Sequence, residues 1–456
     1  MDFDAIVVGS GQAAVPLATR LASRGRKVLL AERARLGGTC VNTGCTPTKT
    51  LIASARAAHV ARTAGRLGVH AGPVRVDLAE VMARKDRVVE RWRSGVAKRI
   101  ADAGPNLTLA NGHARLVAER TVEVLGERHR APVVVLDVGA RAAVPPIPGL
   151  DRVPWLDNGR LLALRELPSR LVAIGGGYIG CELAQAWRRF GAEVTVVDPA
   201  PHLLGREDEE TSRAIEEVFR DEGIELRLGT KIDAVSGGEG AVRLALAGGG
   251  AVEGTHLLVA TGRRPNTDDL GCDAAGVKLD ERGHVTVDDH YRTSAPGVYA
   301  VGDVTGGPQF THVAWDDHRL LLDVLDGKPT RGRSGRVVPY TAYTDPQVAG
   351  VGMTENAAKA AKVRYEAASM PFAEIARAGE TGERAGVLKV LVDPATERIL
   401  GASIVGAEAG ELIHVFAAIM QAGAPARALV EMECVHPAFA EGLQTVLMRL
   451  KRYTLG

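Results

Sequence analysis

The chain has 456 residues, of which 46% are hydrophobic and 24% charged, with a formal net charge of +1 and five cysteines. That length exceeds what one hydrophobic core serves and points to roughly two to four domains; the near-neutral charge gives no electrostatic case for nucleic acid or an acidic membrane. No apolar run reaches the ~20 residues of a membrane span, the N-terminus lacks the basic region of a signal peptide, and so few cysteines suit a reducing compartment, so a cytoplasmic protein is expected.

The first apolar run, Ala5 to Val8, reads as a strand leading into the turn Gly9-Ser10-Gly11-Gln12-Ala13-Ala14, with a helical pattern through Arg24. A second strand, Lys27 to Ala31, ends at Glu32. Strand, glycine turn, helix, strand and acid make a dinucleotide fingerprint with Ala14 in the third glycine position. Gly9 and Gly11 let the backbone approach a pyrophosphate at the helix N-terminus, and Glu32 can take a ribose hydroxyl pair.

Next comes Gly37-Gly38-Thr39-Cys40-Val41-Asn42-Thr43-Gly44-Cys45-Thr46-Pro47-Thr48-Lys49, which separates two cysteines by four residues. Pro47 suits a first helical turn. Cys45 then sits near a helix N-terminus with Lys49 one turn on, and both favour a thiolate. The pair can close a small reducible loop, form half of a zinc site, or be two unrelated buried cysteines. Zinc lacks its remaining ligands, because Cys181, Cys272 and Cys434 stand alone, so a redox-active pair is favoured and no metal site is expected. Helical patterns follow over Leu51 to Thr63 and Leu78 to Ala101. On the first, Arg56, His59 and Arg62 either face a substrate channel or form a solvated face.

The segment Leu136-Asp137-Val138-Gly139-Ala140 and the proline cluster Pro145 to Pro148 close the first domain. Leu171 to Ile174 then leads into Gly175-Gly176-Gly177-Tyr178-Ile179-Gly180, a helix to about Phe190, and a strand from Glu193 to Val197 that ends at Asp198. Both fingerprints place the acid the same 23 residues after the first glycine (9 to 32, 175 to 198). Two complete units at equal spacing are far more specific than one glycine turn. Asp198 would repel a 2′-phosphate, so NADH is preferred over NADPH, with Arg206 near enough to blunt the preference. Farther on stand Ala260-Thr261-Gly262-Arg263-Arg264-Pro265, Val298-Tyr299-Ala300-Val301-Gly302-Asp303, a basic glycine-rich stretch Arg331 to Arg336 that reads as a solvated linker, and Cys434-Val435-His436-Pro437-Ala438-Phe439-Ala440-Glu441.

Taken together these motifs resemble the FAD-dependent pyridine nucleotide–disulfide oxidoreductases, a family that includes dihydrolipoamide dehydrogenase, glutathione reductase and mercuric reductase. The resemblance runs from Ile6 to about Leu447. It implies an α/β fold: two Rossmann-like domains, for FAD and NAD(P), plus a C-terminal α+β dimerisation domain. The implied boundaries are 1–145 and 266–330 for FAD, 146–265 for NAD(P), 331–336 for the linker and 337–456 for dimerisation.

The resemblance also implies roles. FAD would be held by Gly9, Gly11, Ala14, Glu32, Gly38, Thr39, Gly139, Gly302 and Asp303, the last on the ribityl chain. NAD would meet Gly175, Gly177, Gly180, Asp198, Gly262 and Arg263, with Tyr178 covering the nicotinamide pocket when it is empty. Cys45 would be the flavin-facing thiol and Cys40 the interchange thiol. Lys49 and Glu182 would pair beside the flavin. His436, oriented by Glu441, would serve the other subunit's disulfide, which makes a homodimer with shared sites. The implied enzyme is an oxidoreductase that takes electrons from NADH through flavin and dithiol to a small disulfide or metal ion. The alternatives are dihydrolipoamide dehydrogenase within a larger complex, a mercuric-reductase-like Hg(II) or Cu(II) reductase, and a non-catalytic redox-sensing flavoprotein.

Three features depart from the family. Leu136-Asp137-Val138-Gly139-Ala140 stands in place of the usual Ala-Thr-Gly or Asn-Thr-Gly, which puts the Asp137 carboxylate near a domain crossing. Cys434 stands where dihydrolipoamide dehydrogenase has a further His, either as a packed small hydrophobe or as a third thiol. The chain end Lys451 to Gly456 lacks the cysteine pair of mercuric reductase.

Overall fold

The computed structural model describes residues 2–329 and 331–453. The boundary expected at Thr330 and the end Thr454-Leu455-Gly456 lie outside the described residues. Two compact units are present: Met1–Thr50, Met82–Ala143 and Gly262–Arg336 make the first, and Leu51–Val81, Val144–Thr261 and Val337–Gly456 the second.

The first unit is built on a five-stranded parallel sheet. Strand β1 (Ala5–Val8) lies between β2 (Val28–Glu32) and Val133–Leu136, with Leu107–Asn111 and Val298–Ala300 at the edges. All of β1 is buried, as befits a parallel strand covered on both faces. Its alternate side chains divide accordingly. Ile6 and Val8 pack with Leu29, Ala31 and Leu136, whereas Ala5 and Val7 meet Ala14, Leu17 and Leu21 of helix α1 (Ala14–Ser23). The sheet order reverses at β1, so its C-terminal turn opens into the crevice where such folds bind nucleotides. Strand β2 begins one residue later than the pattern predicts and takes in Glu32.

The second unit repeats this arrangement. Arg170–Ile174 lies between Glu193–Val197 and His256–Val259 in a parallel sheet, and the helix Tyr178–Phe190 follows it. A separate five-stranded antiparallel sheet spans 340–406. Ile413 and Phe416 of one helix and Leu443 and Val446 of another bury themselves with its Leu388, Val390 and Ile404. The fold is therefore α/β, with two Rossmann-like sheets and a C-terminal α+β domain. Among the described residues no helix is long and apolar enough to cross a membrane.

Two expectations need correction. The pattern from Leu51 belongs to one longer helix, Cys45–Thr63, and its basic residues are not left to solvent alone: Arg62 is exposed, Arg56 and His59 are half-buried, and both arginines have protein partners. Arg56 pairs with Asp345 and Glu383, each at 2.5 Å, and Arg62 donates to the Arg189 carbonyl at 2.5 Å. His59 is held below its ordinary pKa by burial and then by Arg189. The basic linker is likewise anchored, because the carboxylates of Asp316 and Asp317 face it. Arg331 donates to Asp316 at 2.7 Å and Arg336 to Asp317 at 2.9 Å.

Candidate active site

Helix α2 (Gly38–Asn42) carries Cys40, and helix α3 (Cys45–Thr63) begins with Cys45. The link between them needs glycine. A Cβ on Gly44 would lie 2.9 Å from the Thr39 carbonyl oxygen and 3.3 Å from the Cys40 Cα. The Asn42 amide donates to the Leu36 and Gly38 carbonyls at 2.9 Å each, fixing the short helix. The two half-buried thiols are thereby brought into hydrogen-bond contact. That contact, followed by burial, pushes the Cys40 thiol up, while Thr311 and Lys49 act in the opposite sense. Thr311 Oγ1 lies 3.1 Å from Cys45 Sγ.

Around the first glycine turn, Glu32 accepts from Ser10 N at 3.0 Å and Ser10 Oγ at 2.6 Å. Gly9 has φ 102°, and a Cβ there would lie 2.2 Å from the Asp137 carbonyl oxygen. A Cβ on Gly38 would come within 3.0 Å of the Gly11 Cα, so these backbones need glycine to approach. The Ala14 amide, in the third glycine position, donates to the Asp137 carboxylate at 2.9 Å. Gly302 donates to Asp317 at 2.8 Å, and Asp303, pushed up by burial, lies 3.5 Å from Arg263. Arg263 also donates to the Ala140 carbonyl at 2.5 Å, while its buried Nε has no partner among the described residues. At Gly139, φ is 64° and a Cβ would meet nothing within 4 Å. Thr39 is exposed. Open glycine backbone, an unpaired guanidinium N–H and an acid ending β2 suit a dinucleotide such as FAD.

The second turn follows the same rule. Asp198 accepts from Gly176 N at 2.6 Å and Ala200 N at 2.7 Å, much as Glu32 holds Ser10. A Cβ on Gly175 would lie 2.5 Å from the Ala260 carbonyl, and one on Gly180 only 1.9 Å from the Gly175 carbonyl, whereas Gly177 and Gly262 are open. Tyr178 starts the helix, and its hydroxyl donates to Glu207 at 2.7 Å. Tyr340 donates to the other oxygen of Glu207 at 3.0 Å, and the two rings stack at 6.0 Å. Burial pushes the Glu207 carboxyl up. Glu182 is buried and accepts from Tyr343 N at 2.8 Å.

Near the C-terminus, His436 Nδ1 lies 2.9 Å from Glu441 Oε1, and the other Glu441 oxygen accepts from Ala438 N at 2.8 Å. The hydrogen bond to Glu441 raises the imidazole pKa, while the Ala438 amide and then His436 lower that of Glu441. The His436 side chain is 69% exposed. Burial raises the thiols of Cys181, Cys272 and Cys434. Among the described residues no cluster of three or more His, Cys, Asp or Glu could hold a metal ion.

Thr311, Gly44, Glu207 and Tyr340 join these sites without having been singled out from sequence. Gly44 carried a signal, as a glycine directly before the second cysteine. Thr311 and Tyr340 carried none, because each reaches its partner across more than a hundred residues.

Comparison with known proteins agrees with this architecture. The profile of the family described as "Pyridine nucleotide-disulphide oxidoreductase" matches residues 3–317, and that of its dimerisation domain matches residues 338–447. A probable pyridine nucleotide-disulfide oxidoreductase, RclA, of Escherichia coli (strain K12) is 35% identical over 98% of this chain and 99% of its own. A dihydrolipoyl dehydrogenase of Thermus scotoductus is 36% identical over 99% of this chain and 98% of its own. A mercuric reductase of Lysinibacillus sphaericus is 34% identical over 97% of this chain and 82% of its own. The solved structure of the Cu(II) complex of the HOCl-induced flavoprotein disulfide reductase RclA superposes with a TM-score of 0.89 at 34% identity, covering 98% of this chain and all of that one. The chain belongs to the pyridine nucleotide–disulfide oxidoreductase family and is a FAD-dependent enzyme of that class. Its C-terminal domain is the family's dimerisation domain.

Proposed function

We propose that this enzyme takes electrons from NADH and delivers them through a Cys40–Cys45 dithiol to a small disulfide or metal-ion acceptor. The observation that carries this reading is the hydrogen-bonded thiol pair with Thr311 and Lys49 beside it. FAD, held by the glycine turn, Glu32 and Asp303, supplies the two-electron chemistry that joins the nicotinamide to the disulfide. Residues 1–145 and 266–330 serve FAD, 146–265 the nicotinamide cofactor and 337–456 the dimer. Asp198 at the end of the second strand favours NADH over NADPH.

The protein's own groups divide the rest of the work. The lysine ammonium of Lys49 favours thiolate at the helix N-terminus. Cys40 attacks one sulfur of an acceptor disulfide, and the first acceptor thiol leaves. Cys45 then displaces the second acceptor thiol from the mixed disulfide and closes the Cys40–Cys45 bond. His436 from a second copy of the chain, oriented by Glu441, gives the leaving thiol its proton. The exposed imidazole and its neighbour Val435, 80% exposed, are the groups that a partner subunit would cover.

A metal-ion acceptor is the second reading, favoured by the likeness to a reductase solved as a Cu(II) complex. Steady-state assays with NADH against lipoamide, oxidised glutathione, other small disulfides, Hg(II), Cu(II), quinones and oxygen separate the readings. Reduction confined to quinones and oxygen, at a rate indifferent to Cys40→Ser, would exclude the dithiol route altogether.

A further inference from the structure

Asp137 is the departure from the family that the sequence leaves without a purpose, and the first unit supplies one. Its carboxylate is buried against the turn that opens α1. Oδ2 accepts the Ala14 amide at 2.9 Å, and the Ala13 amide supports it as well. Side chains on Gly11 and Gly302 would collide with this carboxylate, at 2.6 Å from Oδ2 and 2.8 Å from Oδ1. Asp137 therefore caps α1 from 123 residues away, at the helix end that a dinucleotide fingerprint offers to a pyrophosphate. Two anions cannot share one buried helix end without mutual repulsion.

The surroundings do little to relieve that repulsion. From the segment after Gly302, Asp303 faces Asp137 and is paired with Arg263 at 3.5 Å. From the helix Thr311–Leu325, Asp317 faces it too, but Asp317 is bound to Tyr291 at 2.6 Å and Arg336 at 2.9 Å. Glu32, at the end of β2, is taken up by Ser10. The cations of this shell thus pair first with other carboxylates: Arg336 with Asp317, and Arg263 with Asp303 through one guanidinium nitrogen.

We infer that Asp137 is a positioning residue for FAD: it fixes the first turn of α1 and is protonated whenever the pyrophosphate is bound, taking up a proton from solvent on binding wherever it is still ionised. This rests on the reading of the first glycine turn as the FAD site. Burial first, and then Asp303 and Asp317 against the help of the Ala14 amide, push its carboxyl up to about 8 before any cofactor binds. The sign follows from linkage. Below that value Asp137 is already neutral, so FAD affinity is independent of pH. Above it each binding event must import a proton, and the dissociation constant rises by up to about tenfold per pH unit.

Full-length protein stripped of FAD, titrated with FAD by flavin fluorescence between pH 6.5 and 9.5, tests the inference. For the wild type the dissociation constant should stay level to about pH 8 and then climb, roughly tenfold by pH 9. Asp137→Asn, which keeps the amide acceptor without the charge, should stay level throughout. Equal pH dependence in both proteins, or none in either, overturns the inference. Calorimetry of FAD binding to the wild type at pH 9, in two buffers of different ionisation enthalpy, is the second readout should the variant misfold. Net uptake of close to one proton supports the inference, and no uptake overturns it. A wild type that binds no FAD at any pH would instead remove the reading on which the inference stands.

Discussion

Thr311 Oγ1 lies 3.1 Å from Cys45 Sγ, a contact made across 266 residues of chain. The same hydroxyl lowers the Cys40 thiol against the upward push of Cys45 and burial. Thr311→Val keeps the shape and removes the hydrogen bond, a change of about 1 kcal/mol or roughly fivefold in thiolate population. Alkylation of the NADH-reduced enzyme by iodoacetamide should then slow about fivefold at neutral pH and recover at higher pH. A pH profile of alkylation identical to that of the wild type would show that the hydroxyl only packs.

Glu207 joins Tyr178 and Tyr340 through its two oxygens. Glu207→Ala removes two part-buried hydrogen bonds and should lower stability by about 1–3 kcal/mol, whereas Tyr340→Phe should lose about 1 kcal/mol. If Tyr178 covers the nicotinamide pocket, freeing it should also lower the KM for NADH with little change in kcat. Stability lost with KM unchanged would leave Glu207 a packing anchor alone.

What was legible in the sequence and what was not divides by distance along the chain. The two glycine turns, their acids and the Cys40–Cys45 spacing are local, because a strand, a turn and a helix must follow one another in that order. Glu32 and Asp198 could be paired with their turns because the spacing repeats. Thr311, Tyr340 and Asp137 could not, since each is defined by partners brought in by strand order and helix packing. Arg56 and His59 were misleading for the same reason: a basic stripe on a helix reads as a wet face until Asp345 and Glu383 are folded against it.

Arg189 is 5% exposed in its side chain and lies between Glu222 and Asp345, each at 2.6 Å. Removing one carboxylate from such a site costs about 3–5 kcal/mol, so Asp345→Asn should unfold at markedly lower urea concentration. Burial alone would raise the Asp345 carboxyl, but Arg189 and then Arg56 hold it below the usual range. Its folded pKa is therefore depressed. The stability it confers is present above the ordinary carboxylate range, near pH ~4, and is lost as the pH falls through the folded value. Urea midpoints of the wild type should drop below pH ~4 more steeply than those of the variant.

The His436–Glu441 pair predicts a shift in the opposite direction. Glu441 raises the imidazole pKa, so Glu441→Gln should lower it and move the matching limb of the kcat/KM profile to lower pH. A fall in kcat of about 10–100-fold is expected if the imidazole carries the proton. The imidazole proton resonance, followed against pH, gives the same shift without turnover. A moved resonance with an unmoved rate profile would take His436 out of the chemistry.

Whether His436 serves its own chain's cysteines or those of a second copy is decided by mixed dimers. One chain carries Cys40→Ser and the other His436→Ala, so each homodimer is inactive. When the sites are shared, one mixed site combines both lesions and the other combines none. Co-expression with two different affinity tags, followed by tandem purification, should yield dimers with close to half the wild-type dithiol-dependent rate. Dead mixed dimers would mean that each cysteine pair relies on the histidine of its own chain. The exposure of His436 would then need a substrate, rather than a subunit, to cover it.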